Sequence, residues 1–244
     1  MGAVEGAAAP WRALVPAPDD LEARTARAED EGFLYLPRLL PAKRLLPLLL
    51  FLGEALNRRG WIVDGRSDPA LRLGRWDDPR WVDFLAEVLP SAAFRELAAA
   101  PELLEALRAV VGDDPERHVG DVCRVVSPGA HDLATPAHQD AAYLPKPEGV
   151  WTAWVALHDC PRELGPLTLL VGSHRGGVRP HAAVIAGASA VGTDVPDAAP
   201  WCGGDLGAGD VLLFSSFTVH RALPNLTADR LRVSMDYRYR RPSS

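Results

Sequence analysis

The hydrophobic and polar positions divide the chain into two parts of different character. Asp19 or Asp20 to Asp30 is predicted as a helix, because two acidic residues open it and Gly32 suits its C-cap. Phe33-Leu34-Tyr35-Leu36 reads as a short buried strand. Pro41 opens a second helical stretch to about Arg59, with apolar residues on more than one face. A third helical region covers Trp81 to Val111, interrupted around Pro90 and Pro101. The N-terminal half is therefore expected to be mainly helical, behind a loose arm over residues 1–18 that is rich in alanine and proline.

From Val119 the pattern changes to short apolar runs punctuated by glycine and proline. Strands are predicted at Val119–Val126, Val150–Leu157, Leu167–Val171, Val211–Phe214, Phe217–His220 and Leu231–Tyr239. Many short strands at modest spacing suggest an antiparallel barrel or jelly roll over 119–240. Residues 176–209 are weakly patterned and read as a long loop or lid. Nothing divides residues 1–244 into more than a single domain.

Composition narrows the function classes. The formal net charge of -6, without basic runs, argues against nucleic acid or an anionic membrane as partner. Cys123, Cys160 and Cys202 are odd in number and far apart, so they read as buried free thiols in a reducing compartment. The N-terminus lacks a signal-peptide pattern, and the most apolar stretch, Leu45 to Leu52, is far short of the ~20 residues that cross a bilayer. The expectation is a cytoplasmic protein acting on a small molecule.

The sharpest chemical feature is Ala137-His138-Gln139-Asp140. In an extended chain, side chains two apart share a face, so His138 and Asp140 can grip one metal together. His220 lies 82 positions downstream (138 to 220), at the end of the apolar run from Asp210, which places it at a strand end. Two histidines and one carboxylate on a β-scaffold form the facial triad of non-haem Fe(II) oxygenases, with three coordination positions left open.

At this point the sequence resembles the phytanoyl-CoA dioxygenase family of Fe(II)/2-oxoglutarate oxygenases. The resemblance is carried by Glu29–Leu36, Thr135–Asp140, Trp151–Leu157 and Gly165–Arg175, where Val171 stands in place of a proline. His220–Asn225 and Arg230–Tyr239 complete it, in order, over about 29–240. It implies a double-stranded β-helix, a jelly-roll or cupin-like barrel, with flanking helices. It also implies Fe(II) as cofactor, 2-oxoglutarate and O2 as co-substrates, and substrate hydroxylation with release of succinate and CO2.

2-Oxoglutarate needs a cation for its distal carboxylate, and a guanidinium supplies paired donors. Arg232 is the first choice, since Arg232-Val233-Ser234 resembles the Arg-x-Ser pair of many such oxygenases. Arg230 is the runner-up, on the same predicted face, and alternation does not choose between them. Trp154 is expected to line this pocket, and Asn225 to fix the turn after His220. His158 and His174 read as structural hydrogen-bonding residues, and His118, His131 and His181 as exposed ones. His131 and Asp132, close before the metal motif, are substrate-contact candidates. Arg66, Arg72, Arg75 and Trp76 form a basic, aromatic segment that the resemblance puts at a pocket wall, a solvated loop being the other reading.

The same residues bear on rival chemistries. Ser173 beside His174 does not form a G-x-S-x-G elbow, and neighbouring strand residues face opposite ways. A non-catalytic cupin-like binding protein, or a zinc metallohydrolase using the same triad, leaves the Arg232/Ser234 strand without a task. Asp140 supplies the carboxylate that related halogenases replace by a small residue, so hydroxylation is expected rather than halogenation.

Overall fold

The computed structural model describes residues 12–67, 71, 78–129, 134–183, 191–196 and 198–242. Among these the fold is mainly β with five helices: α1 (Leu21–Glu31), α2 (Ala42–Arg58), α3 (Pro79–Val88), α4 (Ala92–Ala98) and α5 (Pro101–Val111). The strands are β1 (Arg12–Ala13), β2 (Phe33–Leu36), β3 (Ile62–Val63), β4 (Arg66–Ser67), β5 (Glu116–Arg117), β6 (Val122–Val126) and β7 (Trp151–Ala156). They continue with β8 (Leu167–Leu170), β9 (Ala182–Ala183), β10 (Val191–Gly192), β11 (Trp201–Gly203), β12 (Val211–Ser215), β13 (His220–Ala222) and β14 (Arg232–Arg240). One sheet has the order β2-β12-β7-β14-β5, with β6 also paired to β14, and a second has the order β1-β11-β8-β13. No helix among the described residues is long and apolar enough to cross a membrane.

Local signals set the helix ends. Asp20 caps α1 by accepting from the Ala23 N–H at 2.8 Å, and Gly32 ends the helix in the left-handed region at φ 82. A side chain at Gly32 would collide with His174 and Thr218, so the position needs glycine for space as well as for backbone freedom. In α2, Leu45, Leu48, Leu52, Ala55 and Leu56 recur at helical spacing and are buried. Ser91 caps α4, and Pro101 begins α5 where no N–H is required.

The larger sheet is buried on both faces, and strict alternation shares its residues between two cores. Leu34, Leu36, Ala153, Val155, Val211 and Leu213 pack with the helices in the main core. Their neighbours Phe33, Trp154, Ala156, Leu212 and Phe214 face the other way, where they meet Leu167, Leu169 and Ala222 of the smaller sheet. Each large apolar side chain so buried stabilises the fold by about 1.5–3 kcal/mol. On β14, Met235, Tyr237 and Tyr239 belong to the helix-side core, so Arg232, Ser234, Asp236 and Arg238 are turned between the sheets and are buried.

Three expectations need correction. Of the arm expected over 1–18, residues 1–11 lie outside the described residues and 12–18 are not loose: Arg12 and Ala13 pair in parallel with Cys202 and Gly203, and the Ala17 N–H donates to the Tyr35 carbonyl at 2.7 Å. The region 176–209 is not strandless, since it contains β9, β10 and β11. Phe217–His220 is not a strand either. Ser215–Thr218 turns, with the Thr218 N–H on the Ser215 carbonyl at 2.8 Å, and His220 begins β13 instead of ending a run.

Candidate metal centre

His138, Asp140 and His220 converge, each offering a ligand atom within 4.8 Å of the others, and all three are buried. Asp140 Oδ1 lies 3.8 Å from His138 Nε2 and 3.6 Å from His220 Nε2. The backbone of the HxD pair is extended as the spacing predicted: Gln139 lies at φ -120, ψ 134, and Asp140 then opens a short 3-10 turn. His220 is brought opposite His138 by an isolated antiparallel bridge.

Hydrogen bonds choose the ring nitrogens. His138 Nδ1 donates to the Pro136 carbonyl at 2.8 Å, and His220 Nδ1 donates to the Thr218 carbonyl at 3.0 Å. A carbonyl only accepts, so Nδ1 carries the proton in both rings and Nε2 keeps its lone pair facing Asp140. Burial lowers the pKa of both histidines, and His220 reinforces this at His138, so both are held as neutral ligands. Burial alone would raise the pKa of Asp140, but the Arg238 guanidinium beside it, helped by the Tyr143 hydrogen bond, outweighs it and holds the carboxyl well below the usual range. Two neutral imidazoles and one carboxylate form a donor set suited to a divalent first-row metal.

Residues that the sequence reading passed over hold this set in place. Thr152 Oγ1 donates to Asp140 Oδ2 at 2.7 Å, and Arg238 contacts the same oxygen through Nε at 3.1 Å and Nη2 at 3.0 Å. The Tyr143 hydroxyl donates to Asp140 Oδ1. Gln139 donates to the carbonyls of Gly177 at 2.9 Å and Phe217 at 2.6 Å and accepts from the Arg179 N–H at 2.8 Å. The parity of β14 and β7 was the available signal: Arg238 shares a face with Arg232, and Thr152 with Trp154.

The two arginine candidates separate. Arg232 is 1% exposed, and its Nε and Nη2 lack a hydrogen-bond partner among the described residues, while Nη1 reaches Ser234 Oγ only at 3.5 Å. Burial lowers its pKa. The carboxylate of its own strand, Asp236, is paired with Arg124 at 2.6 Å. Arg232, Asp236, Trp154 and Phe214 line one cavity with His138 and His220. Arg230 precedes β14, is exposed, and borders a different groove with Tyr35, Arg38 and Asp210. The shared face expected for Arg230 and Arg232 is therefore absent, because the strand begins only at Arg232.

Among the other candidates, His174 meets the Glu29 carbonyl through Nε2 at 3.0 Å, and His158 Nε2 accepts from the Val233 N–H at 3.0 Å. Asn225 donates to the carbonyls of Val126 and Arg230, closing the turn after His220. His181 is not an exposed histidine: it is half-buried, and its Nε2 accepts from the Gln139 N–H at 3.0 Å. The side chain of Arg66 is exposed and pairs with Asp229 at 3.2 Å. Arg72, Arg75, Trp76, His131 and Asp132 lie outside the described residues.

Comparison with known proteins agrees with this geometry. Residues 73–233, more than half of the chain, match the family described as phytanoyl-CoA dioxygenase (PhyH). The chain belongs to the phytanoyl-CoA dioxygenase family. The chain is 28% identical over 247 residues to 1-deoxypentalenic acid 11-beta-hydroxylase of Streptomyces arenae, covering 94% of this chain and 84% of that protein. Among solved structures, it is similar to the epimerase SnoN in complex with Fe3+, alpha ketoglutarate and nogalamycin RO. The TM-score is 0.65 at 25% identity, over 91% of this chain and 83% of that one. The carbocyclase SnoK from nogalamycin biosynthesis shares the fold, with a TM-score of 0.65 at 23% identity over 93% and 87% of the two chains.

Proposed function

We propose that this family member is an Fe(II)- and 2-oxoglutarate-dependent oxygenase that hydroxylates a small natural-product molecule. The observation that carries the reading is one cavity lined both by His138 and His220 of the His/Asp/His set and by the buried Arg232 guanidinium, whose Nε and Nη2 have no hydrogen-bond partner among the described residues. A buried cation without an anion is costly, and a dicarboxylate bound between metal and arginine supplies that anion. The two facing sheets are read as a double-stranded β-helix, with the helices of the N-terminal half packed on its outside, acting as one catalytic domain. The three cysteines, free and buried, fit a cytoplasmic location.

In this reading His138, Asp140 and His220 hold the iron. Arg232, with Ser234, holds the distal carboxylate of 2-oxoglutarate, and Trp154 walls the co-substrate pocket. When bound, iron with 2-oxoglutarate and O2 supplies the oxidation that hydroxylates a substrate carbon and releases succinate and CO2. The chain's own contribution is positioning and the exclusion of water. Carbonyls of Pro136 and Thr218 fix the imidazole rings, and Arg238 and Thr152 fix the carboxylate. Trp154, Phe214, Leu167 and Ala222 supply the apolar part of the cavity lining. The relatives named for a hydroxylase, an epimerase and a carbocyclase support a natural-product substrate.

The test is succinate formation with purified protein across a panel of small natural products that includes 1-deoxypentalenic acid. Turnover that requires Fe(II), O2 and 2-oxoglutarate together is the expected result. Hydrolysis supported by zinc without O2 would replace this reading by the metallohydrolase one.

A further inference from the structure

The two oxygens of Asp140 have unequal surroundings. Oδ1 faces both histidine Nε2 atoms and receives the Tyr143 hydroxyl. Oδ2 receives Thr152 Oγ1 at 2.7 Å and the Arg238 side chain at 3.0 and 3.1 Å, so its acceptor directions are filled by protein. Arg238 is fully buried and is itself held from behind: Nη1 donates to the Gly120 carbonyl, and Nη2 reaches the Tyr143 oxygen at 3.1 Å. Gly120 sits at φ +95, where an added Cβ would strike Leu144, so the loop that presents this carbonyl depends on glycine. Thr152 is the second residue of the central strand β7, and its register partner on β14 is Arg238. The two donors thus arrive on one oxygen from adjacent strands of a buried sheet, which leaves little freedom to rotate the carboxylate.

We infer that Arg238 and Thr152 are positioning residues that confine Asp140 to binding metal through Oδ1 alone. A carboxylate free to turn can chelate through both oxygens and take a second coordination position. With Oδ2 saturated, that position stays open to the co-substrates. The inference rests on the iron reading and adds residues to it that neither the triad nor the 2-oxoglutarate anchor includes.

Co(II) is a suitable probe, because its visible spectrum reports coordination number without turnover. Wild-type protein is expected to take one Co(II), in a site lost in His220→Ala. Thr152→Val keeps shape and removes the donor; it should weaken Co(II) binding by about 10–100-fold and alter the visible bands. Thr152→Ser should restore both affinity and spectrum, a rescue that a purely packing role would not give. Arg238→Gln should shift the spectrum further in the same direction; if that variant does not fold, the threonine pair decides alone. A Thr152→Val protein with wild-type affinity and spectrum overturns the clamp while leaving the metal site standing. Wild-type protein that binds no Co(II), or binding that survives His220→Ala, overturns the iron reading and the clamp with it.

Discussion

His138 and His220 are bonded to each other through their backbones: each N–H donates to the other's carbonyl at 2.9 Å. The imidazoles, 82 positions apart in the chain (138 to 220), thus stand side by side with ring centroids 4.2 Å apart. This pairing belongs to the backbone and does not require the side chains. His220→Ala should therefore abolish metal binding and turnover while leaving the fold in place. Asp140→Ala should behave differently, because it leaves Arg238 buried without its carboxylate. It should cost about 3–5 kcal/mol in denaturant unfolding, well beyond the effect of His220→Ala. Equal stability losses in the two variants would contradict the pairing described for Arg238.

Arg232 carries opposite consequences for the free and the ligand-bound chain. Its guanidinium is buried with no carboxylate bonded to it among the described residues, so Arg232→Gln should leave the ligand-free protein as stable as wild type or more stable. The same change should raise the 2-oxoglutarate KM strongly, a loss of roughly 2–5 kcal/mol in binding. Arg230→Gln, at an exposed position on another groove, should leave that KM unchanged. Thermal shift of the ligand-free proteins measures the first effect, and initial rates against 2-oxoglutarate concentration measure the second. A large KM change in Arg230→Gln alone would move the anchor by two residues.

Gln139 ties the loop of one histidine to the turn before the other and to the segment after Ser173, through Phe217, Gly177 and Arg179. Gln139→Glu cannot donate to the two carbonyls and places a charge in a buried site. It should destabilise by roughly 2–4 kcal/mol, read by denaturant midpoint, and weaken metal binding as the two loops loosen. Wild-type stability in this variant would show that the loops are held by other contacts.

The cysteines should be silent in the native protein. Burial pushes the thiols of Cys160 and Cys202 up from 9.0 to about 11, and that of Cys123 higher still. At pH 8 only about one thiol in a thousand is then ionised, so iodoacetamide should label the folded chain very slowly and the denatured chain fully. The folded state also holds these protons more tightly than the unfolded one. Stability should fall as pH rises from about 9 towards 11, and be unaffected by these groups below that window. Rapid labelling of native protein at pH 8, followed by mass spectrometry, would contradict the burial.

Much of this protein was legible from one dimension. Helix ends followed from Asp20, Gly32 and Pro101, and the main strands from runs of apolar residues, because capping and burial act on neighbours in sequence. The HxD pair was readable since extended backbone alone puts His138 and Asp140 on one face. Residues that depend on partners far away were not. Alternation left Arg230 and Arg232 equivalent, and only the point where β14 joins the sheet sends one inward and leaves the other exposed. Thr152, Arg238 and Gln139 look like ordinary strand and loop residues until the sheets close around Asp140. His220 was expected at the end of a run, but pairing with His138 and β8 makes it the start of a strand. Local propensity and pattern thus determined the elements and the ligand types. Register between distant strands, a property of the packed sheets, decided which polar groups meet.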